Sequence, residues 1–561
     1  MDGIHILARM QDILTDLYSS GTALSILPEI KNLMDDYGKN EVIRKKRKKY
    51  GDQVILNEQD AFLITYADTI HKEGEKPLKT LHRFMQNYVK DALTGVHILP
   101  FFPSSSDGGY AVMDYKQVDP QFGDWEDVRQ IAGEYRLAVD LVMNHMSSKS
   151  EWFQGFLQGD EKYRDYFIWR DEYVEMPDVF RPREHPLFTK FDTAMGEKYV
   201  WTTFSTDQVD LNYKNPEVLL KMIDVFLFYL SQGVEVIRLD AMGYVWKEPH
   251  TSCVNLPQAH ELVKLLRRVL EYAAPYGALL VEANFPYREN VKYEVEGYEA
   301  NMVYHFALPP LVVDAFARQD TSYIQEHTEK TRQDILFFDF LASHDGIGLL
   351  SAKEVLDKNV FDNLLRVTKA HNGLISYKQE DGTKSPYELN ISYFDAINDP
   401  NRKDDTLAIK RFIASQAIML SLKGIPGIYI HSLLGSRNNY QGLKKTGEAR
   451  MINRGKLDEK RMDENLSDPR SVRFQVINKL LFLLDVRKDI KAFHPSSARE
   501  VIDEDDRLLV VVRQYHDETI CSVINVSDDQ VLLPEYQGRL DIITNSVFDG
   551  AVEPCGVLFL K

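Results

Sequence analysis

The stretch NPEVLLKMIDVFLFYLSQGVEVIRLD, residues 215–240, sets a helix and a strand end to end. Asn215 followed by Pro216 is a helix start: an Asn side chain caps free N–H groups, and proline at the first helical position has no N–H to leave unpaired. Val218, Leu219, Met222, Val225, Phe226, Tyr229 and Leu230 then form one apolar stripe, and Gly233 closes the helix. VEVIRL (234–239) does not alternate and is rich in Val, Ile and Leu, as a strand buried on both faces must be.

Outward from this unit the pattern repeats. Similar runs are FLITYA (62–67), GVHILPF (95–101), LAVDLVM (137–143), ALLVEA (278–283), MVYHFA (302–307), ILFFDFL (335–341) and PGIYIHS (426–432). Helix-like stretches lie between them, and QAHELVKLLRRVLEY (258–272) carries its own stripe of Leu262, Leu265, Leu266 and Val269. Eight such strands alternating with helices predict an α/β fold, a closed (β/α)8 TIM barrel. Residues 1–58 read as an N-terminal helical extension, and 59–488 as the barrel. Two stretches within it, about 146–205 and 346–410, are too long for simple connections and predict inserted loop subdomains serving a site. From 489 to 561, short runs such as RLLVVVRQY and TICSVINVS predict a C-terminal all-β, sandwich-like domain.

Apolar residues at 44% and charged residues at 27% are ordinary for a globular chain and exclude wholesale disorder. The net charge of −18 suits neither nucleic acid nor an anionic membrane. The basic run Arg44-Lys45-Lys46-Arg47-Lys48-Lys49 reads as a solvated helix face, with a nucleic-acid patch as the alternative. Three scattered cysteines, Cys253, Cys521 and Cys555, argue against a disulfide framework and suit a reducing compartment. There is no secretory leader in MDGIHILARMQDIL and no run of about 18 apolar residues, so a cytoplasmic protein is expected.

In such a barrel, catalytic groups stand where strands end. The fourth run leads into Asp240, the fifth contains Glu282, and the seventh is followed by Ser343-His344-Asp345, while the third continues to Asn144-His145. Three carboxylates on one rim, with histidines and Arg238, are a constellation for glycosyl transfer. One carboxylate attacks the sugar, a second protonates the leaving oxygen, and a third stabilises developing positive charge. Arg238, two residues before Asp240 on the same strand face, favours the ionised nucleophile.

The blocks DLVMNH (140–145), VIRLDAMGY (236–244), LLVEAN (279–284) and LASHDG (341–346) resemble the α-amylase superfamily, glycoside hydrolase family 13. The likeness runs from about residue 60 to the C-terminus. It implies Asp240 as nucleophile, Glu282 as general acid/base and Asp345 as transition-state stabiliser. LITYAD (63–68), GVHILPFFPSSSDGG (95–109), RPREHPLF (181–188), KEPHTSC (247–253) and YHFALPPL (304–311) narrow the resemblance to the sucrose phosphorylase group. That implies a sugar subsite made by Asp107, Tyr110, His145, Phe204, Arg238, Tyr244, His344 and Arg450, with Arg183 on a loop for phosphate.

The departures from that group fall where the sugar's partner molecule would bind. Asn284 stands where a histidine is expected, His250 where a glycine is expected, and Tyr387-Glu388 where a Tyr-Gln pair touches fructose. The N-terminal extension, SPYELN (385–390) and LLGSRNNY (433–440) are most similar to the members that split glucosylglycerate with phosphate. Arg183, His250, Lys384 and Arg437 are candidates for an acceptor carboxylate, and Glu388 would repel one. The resemblance implies an α-glucoside and inorganic phosphate as co-substrates, with no metal and no organic cofactor, and the acidic charge predicts no nucleic-acid or membrane partner. A homo-oligomer is left open. Sucrose or sucrose 6-phosphate as substrate, and an inactive barrel serving as a scaffold, are the alternatives.

Overall fold

The computed structural model describes residues 3–294, 298–380 and 383–561. Eight parallel strands close a barrel: β1 (Phe62–Thr65), β2 (Gly95–Ile98), β3 (Arg136–Val142), β4 (Val234–Asp240), β5 (Ala278–Val281), β6 (Met302–Tyr304), β7 (Phe337–Phe340) and β8 (Ile425–Tyr429). Their spatial order is their chain order, with β8 pairing β1 to complete the ring. Every strand falls within or beside one of the eight apolar runs. The quoted helix spans Pro216–Ser231, and Asn215 accepts the N–H of Glu217 as its cap.

Three helices precede the barrel: α1 (Gly3–Leu17), α2 (Ser20–Gly38) and α3 (Glu41–Tyr50). Ile6, Met10 and Leu14, then Ile26, Ile30 and Met34, are buried at helical spacing. They pack α1 on the helix Pro257–Ala273 and α2 on Pro216–Ser231. Most of the basic run is exposed, but Lys46 turns inward, where its Nζ donates to Glu235 at the start of β4 (2.5 Å) and to the carbonyl of Ala132 (3.0 Å).

Both long connections carry their own sheets on the side of the barrel where the strands end. The first contributes three strands, Trp169–Arg170, Phe188–Thr193 and Gly196–Trp201, and a ribbon pairing His145–Ser147 with Gln208–Asp210. The second contributes Ile347–Gly348 and the hairpin Leu374–Glu380 with Thr383–Asn390.

The C-terminal strands make a six-stranded sheet with a two-stranded ribbon (Val531–Leu532, Ala551–Val552). Alternation along the strand Leu508–Tyr515 divides its side chains. Leu508 and Val510 face the ribbon side, and Leu509 and Val511 join the main core. Arg513, on that strand, fastens this domain to the end of the helix Asp405–Ser421, whose last carbonyls have no partner within the helix, and Arg487, in the last turn of the helix Val472–Lys488 just before the domain, binds the same helix end from the barrel side. Arg487 donates to the carbonyls of Leu420 (3.1 Å) and Glu58 (2.6 Å). Arg513 donates to the carbonyls of Ser421 (3.1 Å), Leu422 and His494 (2.9 Å). Burial pushes Arg487 down to about 10 and Arg513 to about 9. Replacing Arg513 strands several buried acceptors together. Arg513→Met is expected to lower stability by about 2–4 kcal/mol, read as a lower urea midpoint, and an unchanged midpoint would contradict this role.

Candidate active site

The site is built on Arg238. Its side chain is 3% exposed, and β4 pairs with β3 so that Arg238 lies directly beside Asp140. Nη1 donates to Asp140 and, at 2.6 Å, to Asp240, while Nη2 lies 4.0 Å from Glu282. Asp140 also accepts the Nε2–H of His97 on β2 (2.6 Å) and the Tyr110 hydroxyl (3.3 Å). Burial opposes the ionised form of Asp140, but Arg238 and His97 outweigh it and hold the carboxyl at about 2. Burial pushes both Asp240 and Glu282 upward. The guanidinium opposes that rise at both carboxylates and lies nearer Asp240 than Glu282.

Ala241, next to Asp240, has φ +50, a left-handed conformation that costs a non-glycine residue about 1 kcal/mol. In return its N–H points at Glu282 Oε2 (3.0 Å), so the backbone after one carboxylate orients the other.

Asp345 faces Arg450 (2.6 Å), His344 (3.4 Å) and Arg454 (3.6 Å). Despite its burial, Arg450 first and then His344 and Arg454 keep it well below the usual carboxylate range. Burial lowers His344 to about 3, so its ring is neutral, and it stacks on Tyr110 at 5.0 Å. Arg450 also reaches Glu388 (3.0 Å), which accepts the N–H of Gly346 (2.7 Å). The second insertion thereby brings an acidic residue into the cleft with its charge already matched. The repulsion expected of Glu388 is removed by Arg450.

Every residue singled out from the sequence as catalytic or substrate-binding lines one cleft, except Arg238, which lies beneath it. These are Asp107, Tyr110, His145, Phe204, Tyr244, Tyr387, Glu388 and Arg450, with Arg183, Asp240, Glu282, His344 and Asp345. Phe204 and Tyr244 meet at 5.1 Å as one aromatic wall. Arg183 lies over the rings of Phe204 (5.8 Å) and Tyr387 (5.6 Å). Asn284 also lines the cleft, and its Oδ1 has no hydrogen-bond partner among the described residues.

The acceptor candidates separate. Lys384 lies on the outer mouth, paired with Glu184 at 3.2 Å. His250 is exposed on a turn and does not line the cleft. Arg437 is held outside it by Asp395 (3.2 Å) and Asp405 (3.1 Å). Both are corrections: sequence proximity to family blocks does not say which way a loop turns.

Three participants were not assigned from sequence. Asp140 had a signal, a carboxylate inside a run buried on both faces. Arg454 had a weaker one, its four-residue spacing from Arg450. Gln208, which bridges Asp107 and His145 at 3.0 Å to each, had none.

The first insertion is fastened to the loop that follows β4. Lys247, buried, donates to Asn144 Oδ1 (2.5 Å) and to the carbonyl of Tyr244 (2.6 Å), and pairs with Asp210 (2.6 Å). Asp210 in turn accepts the N–H (2.8 Å) and hydroxyl (2.6 Å) of Thr203, the neighbour of Phe204. Among the described residues no group of three or more His, Cys, Asp or Glu side chains is arranged to hold a metal ion. None of the described helices is long and apolar enough to cross a membrane.

The family model for the alpha amylase catalytic domain matches residues 85–365. A glucosylglycerate phosphorylase from Spirochaeta thermophila is 45% identical over 524 residues, 92% of this chain and 89% of its own. A glucosylglycerate phosphorylase from Escherichia coli is 37% identical over 567 residues, 99% of this chain and 100% of its own. Among solved structures, sucrose 6F-phosphate phosphorylase from Thermoanaerobacter thermosaccharolyticum superposes with a TM-score of 0.75 at 29% identity. The match covers 84% of this chain and 94% of that one.

Asp140 provides a pH test. Its carboxyl is held at about 2 in the fold, against roughly 3.9 when unfolded. The resulting stabilisation, about 2.6 kcal/mol, is fully present above the unfolded value and is lost as pH falls toward the folded one. Asp140→Asn is expected to lower the urea midpoint at pH 6 and to show a smaller further fall between pH 6 and pH 3 than the wild type. Parallel pH curves would contradict the assignment.

Proposed function

The chain belongs to the α-amylase family, and from that membership we propose that it is a retaining glycoside phosphorylase. In this reading it splits 2-O-α-D-glucosyl-D-glycerate with phosphate into α-D-glucose 1-phosphate and D-glycerate. The observation that carries the substrate is the identity, 45% and 37% over nearly the whole chain, to two glucosylglycerate phosphorylases. The neutralised Glu388 supports it, because an acidic residue otherwise set against an anionic acceptor is already paired. The sucrose 6F-phosphate relative, at 34% identity over 77% of this chain, supports that alternative less. An inactive scaffold would have no use for a complete set of carboxylates around a buried guanidinium.

In the first step the ionised Asp240 attacks C1 of the glucosyl unit while protonated Glu282 gives its proton to the departing glycerate oxygen. A β-linked glucosyl ester of Asp240 results. Glycerate leaves and phosphate enters, held by Arg183. A phosphate oxygen then attacks C1, Asp240 departs as a carboxylate, and Glu282 takes up the proton. Two inversions restore the α configuration. Asp345 faces the developing positive charge, and Asp107, His145, His344 and Arg450 hold the glucosyl hydroxyls, with Tyr110 and Phe204 beside the ring. Phosphate is a co-substrate, and this two-carboxylate chemistry calls for no metal or organic cofactor. Phosphate and glucose 1-phosphate as reactants, with three unpaired cysteines, fit a cytoplasmic setting.

Incubation with glucosylglycerate should yield glucose 1-phosphate only when phosphate is present. Free glucose at equal rates with and without phosphate would end this reading. Asp240→Asn should abolish turnover. Glu282→Ala should cost about 10²–10⁴ in phosphorolysis and remove the alkaline limb of the rate profile, because the wild-type acid loses its proton as pH rises through its raised pKa.

A further inference from the structure

The cations of the cleft are not equivalent. Arg238 is matched by Asp140 and Asp240, Arg450 by Asp345 and Glu388, and Arg454 faces Asp345. Lys384, farther out, is matched by Glu184. Arg183 differs. Its guanidinium rests on two aromatic rings, its Nη1 donates to the carbonyl of Pro182 (3.2 Å), and among the described residues no carboxylate lies within 4.0 Å of it. A guanidinium with most of its five donors uncommitted, carried on aromatic faces at a cleft, is a seat for a planar or tetrahedral oxyanion.

Resting on the reaction proposed above, we infer that Arg183 takes two anions in turn, the acceptor's carboxylate in one half-reaction and phosphate in the other, and that the acceptor class is therefore the 2-hydroxycarboxylates. The reasoning is geometric. Forward and reverse steps pass through the same transition states, so the oxygen that attacks C1 stands beside Glu282 whichever nucleophile is used. In phosphate, the anionic oxygens share the phosphorus with that attacking oxygen. In a 2-hydroxycarboxylate, the carboxylate is bonded to the very carbon that carries it. Both nucleophiles thus hold negative oxygens close to the reacting one, within reach of a single cation. A 3-hydroxycarboxylate sets its charge one carbon farther off, and a polyol offers none. In either case the bond from C1 to Asp240 breaks as the bond from C1 to the incoming oxygen forms, the hydroxyl or P–OH proton passes to Glu282, and Asp240 regains its charge.

The test runs in the synthetic direction from glucose 1-phosphate. Glycolate and D-lactate should accept glucose, while glycerol and 3-hydroxypropionate should show kcat/KM lower by about tenfold to a hundredfold. Sulfate, an inert tetrahedral anion, should inhibit competitively against glycerate, and propionate competitively against phosphate in phosphorolysis. Arg183→Gln should raise KM for glycerate and for phosphate together and erase the preference for glycerate over glycerol. Noncompetitive patterns in the wild type, or a variant that loses phosphate affinity while keeping the glycerate preference, would overturn the shared seat. Neither result would disturb phosphate-dependent cleavage of glucosylglycerate by the wild type, whose failure would instead count against the function proposed above.

Discussion

A guanidinium buried under the mouth of the barrel is the constraint on which the site depends. Moving a cation from water into protein costs several kcal/mol unless it is paired and hydrogen-bonded, and removing one partner leaves the other stranded. Arg238 meets that requirement by a register: β3 and β4 pair so that Asp140 stands beside it, and Asp240, two residues on along the same face, completes the pair. The same geometry decides the chemistry. Asp240 lies closer to the positive charge than Glu282 does, so two neighbouring carboxylates in one dry pocket meet unequal fields. Tyr110 and Tyr304 lie against the cation's remaining faces, at 5.8 and 5.4 Å from their ring centres, and keep it from water.

The barrel was legible because it obeys one rule throughout. A strand buried on both faces cannot alternate, and each of the eight non-alternating runs became a barrel strand. Asp240, Glu282 and Asp345 were legible for a related reason, since a strand's end is fixed once the strand is known. Loops obey no such rule. Arg437 and Arg450 lie in the same long connection after β8, yet Asp395 and Asp405 draw one outward and Asp345 draws the other in. Glu388 reads from sequence as an obstacle to an anion. Its partner Arg450 is 62 residues away, and nothing local announces the pairing. Lys46 is similar, one basic residue among six in a row, set apart only by the side of α3 that meets Glu235.

The N-terminal helices and the C-terminal sheet support the barrel at its flanks by different physics. The helices bury stripes of aliphatic side chains against barrel helices, a contact that tolerates exchange of one apolar residue for another. The C-terminal domain relies on one buried arginine, Arg513, whose partners across the boundary are backbone carbonyls rather than carboxylates. Such contacts are exacting, because they depend on the position of a helix end and not on side-chain volume.

The buried ammonium of Lys247 joins two pieces of chain that have no covalent reason to move together. Through Tyr244 it holds the loop after β4, and through Asp210 and Thr203 it holds the approach to Phe204. One jaw of the cleft is therefore a single stiff part, and the opposite jaw, the hairpin bearing Tyr387, meets it through side chains: Arg183 over the Tyr387 ring, the buried Lys378 over the Phe180 ring (4.6 Å) and the solvent-facing Glu184–Lys384 pair. Exposed ion pairs contribute little, and ring–cation contacts about 0.5–2 kcal/mol, more where they are dry. The two jaws thus meet along a line of side-chain contacts rather than shared backbone, and Arg183 stands on that line.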